Sequence, residues 1–273
     1  ANGGAGVRRL TRAQARALAP NVDVPAALHL PSTGIVDAAG LTQALARQAE
    51  AAGATVLTSF EVVDIQARGG AFEVTGRRGG REETFAADTL VNAAGLHCDT
   101  VARMVDPDVD AEVVALRGEY CRFNRRRRPD VWLNGLNVYP VPEWLDVLGA
   151  PARMVGVHLT PTFAMARDGR VAVGAAVTVG PEFVRVSERA DYERGRKPPE
   201  FFLGRARRYF PSLELADLEL DFAGIMVHLA GAKDFVIRRE RRHAGCVHLL
   251  GIDSPGLTSS LAIARRVRAL LLG

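Results

Sequence analysis

Apolar positions along the chain change their period several times, and each change marks an element. Leu41 and Leu45, with the alanines around them, recur at helical spacing behind Asp37. This predicts a capped helix running to about Ala52, stopped by Gly53, with its leucines and alanines inside. A shorter helix is predicted to start at Thr11, where Gln14 completes a capping box, and to end before Pro20. Residues 55–58 read as a strand. Alternation over 61–67 and 71–76, around Gly69 and Gly70, predicts a hairpin, and a third strand lies beyond Gly79 and Gly80. Residues 89–95 read as a buried strand ending in small residues, and a helix follows over about 99–105.

From about residue 112 to 237 the texture changes. Strands are predicted over 112–123, 136–141, 154–160, 170–177 and 222–229, interrupted by an arginine-rich helical stretch over about 190–209 that Pro198 and Pro199 break. Several strands around one helical region predict a mostly antiparallel sheet covered on one side. The chain then ends on a strand, a turn and a helix. The run 247–252 is apolar and too short for a helix. Ser254 is placed to cap free amides, and Pro255 suits the first helical position because it has no N–H to leave unpaired. Leu257, Leu261, Ala264, Val267 and Leu271 are predicted to share one helical face.

Composition narrows the class. With 273 residues and 48% hydrophobic content, the chain is long enough to bury one large core or two interleaved ones. Only Lys197 and Lys233 are lysines, so arginine carries nearly all the positive charge and the net charge is only +4. No nucleic-acid partner is implied. The one basic cluster, Arg125–Arg128, reads as a solvated loop or as a point of peripheral membrane contact. Three cysteines, Cys98, Cys121 and Cys246, are odd in number and lack metal-ligand spacing, which points to reduced thiols in the cytoplasm and to no metal. No run of 18 apolar residues and no signal core occurs. The opening Ala1–Gly6 is glycine-rich, but no strand precedes it, so it reads as a leader or turn and not a dinucleotide loop. No nucleophile-elbow pattern supports a hydrolase.

A glycine turn feeding a helix leaves amide N–H groups aimed at a partly negative ligand atom, and it is also an ordinary strand-to-helix connection. On these features alone the ordinary connection is favoured, and a resemblance shifts the balance. Gly251-Ile-Asp-Ser-Pro-Gly-Leu-Thr258 followed by Ser259-Ser-Leu-Ala-Ile263 resembles the closing motif of the D-amino-acid-oxidase-like FAD oxidoreductases. Within these it is most similar to the L-2-hydroxyglutarate dehydrogenase/oxidase family. Asn92-Ala-Ala-Gly-Leu96 resembles the family's second FAD motif, and Glu61-Val62 the segment whose backbone meets adenine. Further short motifs follow in the family's order: 33–37, 117–120, 139–142, 156–162, 168–171 and 234–237. The resemblance thus spans nearly the whole chain.

The resemblance implies an α/β (α+β) fold: a partial FAD-binding Rossmann-like domain over 34–110 and 239–273, with a mostly antiparallel substrate domain over 1–33 and 111–238. It implies FAD held by Val62, Ala93, Ala94, Gly95, Gly251, Ser254, Gly256, Leu257 and Thr258. It also implies a small carboxylate substrate, oxidised by loss of a hydroxyl proton and transfer of the C2 hydride to flavin. His158 is the expected base, since imidazole titrates in the right range, though a strand histidine also serves as a hydrogen-bonded core residue. Arg117, Tyr120 and Thr33 are expected at the substrate; Arg117 alternatively forms an ion pair with Glu119. His228, His29 and Lys233 are further candidates.

Two departures bear on this expectation. The family's arginine and proline after the glycine–isoleucine pair are here Met226 and Val227, which removes a cationic carboxylate clamp. The family's Gly-x-Gly-x-x-Gly opening is not matched, and loss of its strands is expected to expose apolar edges. The alternatives are a non-catalytic remnant of the same fold and a related amino-acid or amine oxidase.

Overall fold

The structure, a computed structural model, describes residues 6–146 and 151–273, so most of the glycine-rich opening lies outside the described residues. In chain order the elements are β1 (Arg8–Thr11), α1 (Arg12–Leu18), β2 (Ala26–His29), α2 (Ala38–Ala51), β3 (Glu61–Arg68), β4 (Ala71–Arg78), β5 (Arg81–Ala87), β6 (Leu90–Asn92) and α3 (Cys98–Val105). There follow β7 (Val113–Asn124), β8 (Glu143–Asp146), β9 (Pro151–Met154), β10 (His158–Met165), β11 (Val171–Val186), α4 (Pro199–Ala206), β12 (Leu218–Leu229), β13 (Val236–Arg239), β14 (Cys246–Leu250) and α5 (Gly256–Leu272). The chain is therefore the mixed α/β type that the sequence predicts.

It divides into two compact units. The first comprises Ala1–Val36, Arg117–Arg185 and Ala190–Gly224; the second comprises Asp37–Leu116, Val186–Arg189 and Ile225–Gly273.

The first unit is built on a sheet of order β10-β11-β7-β12. β10 and β11 pair antiparallel, with His158 opposite Gly180 and Leu159 opposite Val179. Their inward positions join Phe123, Phe202, Phe210 and Leu213 in one apolar core. α1 starts at the predicted capping box, with Thr11 and Gln14 bonding each other's backbone amides. Two expectations fail here. Residues 136–141 form only an isolated bridge, Val138 to Leu159, because Pro140 and Pro142 have no N–H for a ladder and Gly135 turns the chain in the left-handed region. The helix expected over 190–209 is only α4. Residues before a proline avoid helical backbone, and Asp191 folds the chain into a turn by accepting the Arg194 N–H.

The second unit holds a meander, β3-β4-β5, and a sheet of order β13-β14-β6. β14 runs parallel to β6, with Val247 opposite Val91, and antiparallel to β13. β6 ends that sheet and is shorter and less covered than expected: Asn92 is buried while Val91 is 40% exposed. Asp37 caps α2 through the Gly40 amide as predicted, yet no residue of α2 is fully buried. Residues 55–58 are not a strand, and Val56 and Leu57 are exposed. A strand is held by its neighbour's ladder, and among the described residues none lies alongside. In α5 the buried residues are Gly256 and Ile263, while Leu257 and Leu261 are exposed.

Candidate active site

The second unit carries a built cleft. One wall is the end of β6. Asn92 is buried there; its side-chain oxygen accepts the Ala94 N–H at 3.2 Å, and its amide donates to the Cys98 carbonyl at 2.7 Å. That amide also lies 3.1 Å from Nδ1 of His248, whose Nε2 lies 3.1 Å from Glu240. Asn92 donates, so Nδ1 of the neutral ring accepts and Nε2 carries the proton toward Glu240. Burial lowers the His248 pKa against the pull of that carboxylate. Burial works to raise Glu240, yet N–H bonds from Arg241 and Arg242 hold it below its usual range. This network fixes the strand end from beneath, so that Ala93 and Gly95 are presented outward. Gly95 sits at φ +53° with open space where a side chain would be.

The other wall is the turn between β14 and α5. Gly251 takes φ +66°, and a Cβ there would stand 2.7 Å from Cβ of Leu229. A Cβ on Gly256 would stand 2.6 Å from Cγ2 of Ile252. Only glycine lets the turn close this tightly. The Asp253 carbonyl accepts the Gly256 N–H at 2.5 Å, and the helix begins at Gly256. Pro255 stands at the cap position and Ser254 makes no capping bond, which corrects the expected serine cap. Proline precedes the helix, so the first helical amides fall at Gly256–Thr258, beyond the reach expected of Ser254.

Between the walls lies a cavity of about 750 Å³ lined by Ala93, Gly95, Ile252, Gly256, Ile263 and Val267, among others. Thus two stretches about 160 residues apart in sequence, expected to share one cofactor, do line one cleft. Leu257 and Thr258 open the helix beside it. Ala94 is half-buried behind, and Val62 lies in the meander next to a bulge in β3.

In the first unit, His158 opens β10. Its Nδ1 lies 3.1 Å from the Gly156 carbonyl, and its ring stacks on Tyr139 at 4.3 Å. Burial lowers its pKa, so it stays neutral near pH 7 with Nδ1 donating. Tyr120 stacks on Phe222 at 4.6 Å, and burial raises its pKa. Thr33 is exposed in a turn.

Arg117 is a correction. It is 1% exposed, and its guanidinium is fully engaged by Glu119, by Asp191 and by the Asp191 and Arg194 carbonyls. No N–H remains for a substrate carboxylate, and the alternative reading, an ion pair with Glu119, is the observed one. β7 is buried continuously from Val114 to Glu119, so a side chain at 117 is enclosed whichever face it takes. Sequence reasoning also passed over Asp253, which pairs with His228; the signal was the odd-even parity of β12.

The family described as FAD dependent oxidoreductase (DAO) matches residues 1–270. An L-2-hydroxyglutarate dehydrogenase of Indibacter alkaliphilus is 26% identical over 97% of this chain and 70% of that protein. A glycerol 3-phosphate dehydrogenase of Caloramator mitchellensis is 26% identical over 90% of this chain and 46% of that protein. Among solved structures, an FAD-bound L-alpha-glycerophosphate oxidase from Mycoplasma pneumoniae shares the fold, with a TM-score of 0.74, 23% identity, and coverage of 98% of this chain and 65% of that one. The chain thus spans between about half and about 70% of the length of these relatives.

Proposed function

The chain belongs to the FAD-dependent oxidoreductase (DAO) family, and from that membership we propose that it oxidises the CH–OH group of a small L-2-hydroxy acid of the L-2-hydroxyglutarate type. FAD is the cofactor. The observation that carries the reading is the cleft between the β6 end and the Gly251–Thr258 turn.

Its residues fit the ring end of that cofactor. Ala93, Gly95 and Gly256 project nothing beyond a methyl into the space, Ile252 supplies an apolar wall, and the first turn of α5 offers amide N–H groups to an electron-rich ring edge. When bound, the flavin supplies a two-electron acceptor for the substrate hydride. The chain's own residues do the rest. Gly251 and Gly256 hold the turn closed, and the Asn92–His248–Glu240 network holds the opposite wall. Ser254, Leu257 and Thr258 are proposed at the flavin, Ala94 at the diphosphate and Val62 at adenine. His158 is proposed to meet the substrate hydroxyl, with Tyr120 and Thr33 at its carboxylate.

The three buried, unpaired thiols support a reducing compartment, the cytoplasm. Burial pushes Cys121 and Cys246 up to about 12, so both stay protonated and unreactive. No helix among the described residues is long and apolar enough to cross a membrane.

Absorbance between 350 and 500 nm, recorded before and after adding FAD and removing the excess, tests the cleft. Flavin retained with a shifted spectrum supports it; a colourless protein overturns it and favours a non-catalytic remnant. Anaerobic bleaching by L-2-hydroxyglutarate but not by amino acids or glycerol 3-phosphate supports the substrate class. The reverse pattern transfers the reading to an amine or glycerophosphate oxidase.

A further inference from the structure

The turn that walls the cleft carries a feature the reading above does not use. Val227 and Leu229 on β12 point into the apolar core of the second unit, so strand parity turns His228 to the opposite face. There its Nδ1 meets the Asp253 carboxylate at 3.0 Å. Asp253 stands directly between Ile252, which lines the cleft, and Ser254. The two segments are held together tightly, since Gly251 packs against Leu229 with no room for a side chain.

The arrangement has the order of an acid–base pair. An ionised carboxylate only accepts, so Asp253 fixes the proton of a neutral His228 on Nδ1 and leaves the Nε2 lone pair free. Nε2 has no partner among the described residues, and the atom is not buried. The side chains are 22% and 20% exposed, open enough to meet a ligand and covered enough to keep their geometry.

His248, in the same unit, is the counter-example. It is wholly buried, with Asn92 on one ring nitrogen and Glu240 on the other, and has nothing left to offer a substrate. His158 has its Nδ1 against the Gly156 carbonyl and, among the described residues, no carboxylate beside its ring, so it remains a hydrogen-bond partner without the orienting acid that His228 has.

We propose that His228, oriented by Asp253, is the general base of this chain: its Nε2 takes the hydroxyl proton of the substrate as the C2 hydride leaves for the flavin. The O–H and C2–H bonds break, a C=O double bond forms, the two electrons of the hydride reduce the flavin, and the proton stays on the imidazole. The proposal rests on the oxidation of a CH–OH group argued above and assigns the proton within it. Asp253 is a positioning residue in this scheme, since it acts through the ring.

The test uses the FAD-loaded chain and three variants, His228→Gln, Asp253→Asn and Asp253→Glu. Stopped-flow reduction by L-2-hydroxyglutarate is expected to slow about 100-fold or more in His228→Gln, within the range a general base contributes. Asp253→Asn is expected to slow it comparably, because its amide donates to Nδ1 and forces the proton to Nε2. Asp253→Glu is expected to recover part of the rate.

A second readout needs neither flavin nor turnover. Long-range ¹H–¹⁵N spectra of the histidine rings should show His228 as the Nδ1–H tautomer in the parent chain and Nε2–H in Asp253→Asn. If the parent chain is reduced by no hydroxy acid, the functional reading falls and the proposal with it. If the parent is reduced and His228→Gln is reduced as fast, or if the parent ring is Nε2–H, the proposal alone is overturned.

Discussion

The two units solve the burial problem differently. In the first, inward side chains of the central sheet join the helical residues in one apolar core. Phe202, Phe210 and Leu213 are fully enclosed, and even the guanidinium of Arg117 is saturated. In the second, the meander and α3 close a core around Phe72 and Cys246, but α2 buries nothing fully and β6 leaves Val91 half in water. Val56, Leu57, Leu257 and Leu261 are exposed as well. The first unit exposes large apolar side chains too, Val141, Met165 and Val171 among them, so what sets the second unit apart is that its exposed apolar positions border a cleft. Binding in that cleft has apolar area still to remove from water.

The sharpest way to break this contrast is to cut into the closed unit. Phe202→Ala removes a ring that is wholly buried and is expected to cost about 3–5 kcal/mol. Arg117→Ala leaves Glu119 buried without its charge partner and is expected to cost about 3–5 kcal/mol as well. Urea titrations, followed by hydrogen exchange in β10 and β11, measure both. A loss under 1 kcal/mol for Phe202→Ala means the core is less closed than described. If Arg117→Ala keeps its stability and instead raises KM for the acid, the residue belongs at the substrate after all.

These two residues also show what was legible in the sequence and what was not. Capping boxes, glycine stops and hairpin turns are local physics, and Thr11, Asp37, Gly53 and Gly69-Gly70 announced their elements correctly. The two stretches that line the cleft, 92–96 and 251–258, were legible through their resemblance to family motifs, and their small residues suit close backbone approach. What failed depends on partners distant in sequence. The 55–58 segment has strand composition but no neighbour to pair with, and the apolar stripe of α5 does not say which wall it meets. Arg117 has the charge a substrate needs; only the fold shows that Glu119 and Asp191 have taken it. Asp253 was hidden because its partner lies 25 residues away on another strand.

A gentler probe of the contrast is pH. Burial depresses the proton affinity of His248 in the second unit and of His158 in the first. A histidine whose folded pKa lies below its unfolded value near 6.5 binds fewer protons when native. Its stabilising contribution is therefore present above about pH 6.5 and is lost as pH falls toward the folded value, by at most about 1.4 kcal/mol per pH unit for each group. Glu240, held low, adds its own loss only below about pH 4.5. Stability measured between pH 7.5 and 5.5 is expected to fall in both units. His248→Asn should flatten the slope in the second unit alone and His158→Gln in the first alone. A slope unchanged in His248→Asn would show that the buried ring does not titrate with folding.

The smallest expected effect is the most informative about the open face. Leu261 lies 58% exposed on α5, so Leu261→Ser removes apolar area that is already in water and should change unfolding free energy by no more than about 0.5 kcal/mol. It should, however, lower the fluorescence of a dye that binds exposed apolar surface, while Phe202→Ala at a concentration of urea below its transition should not. If Leu261→Ser instead destabilises the protein by 1 kcal/mol or more, in a manner that depends on protein concentration, that surface is covered in solution by a second copy of the chain. That face of α5 would then be a contact between subunits.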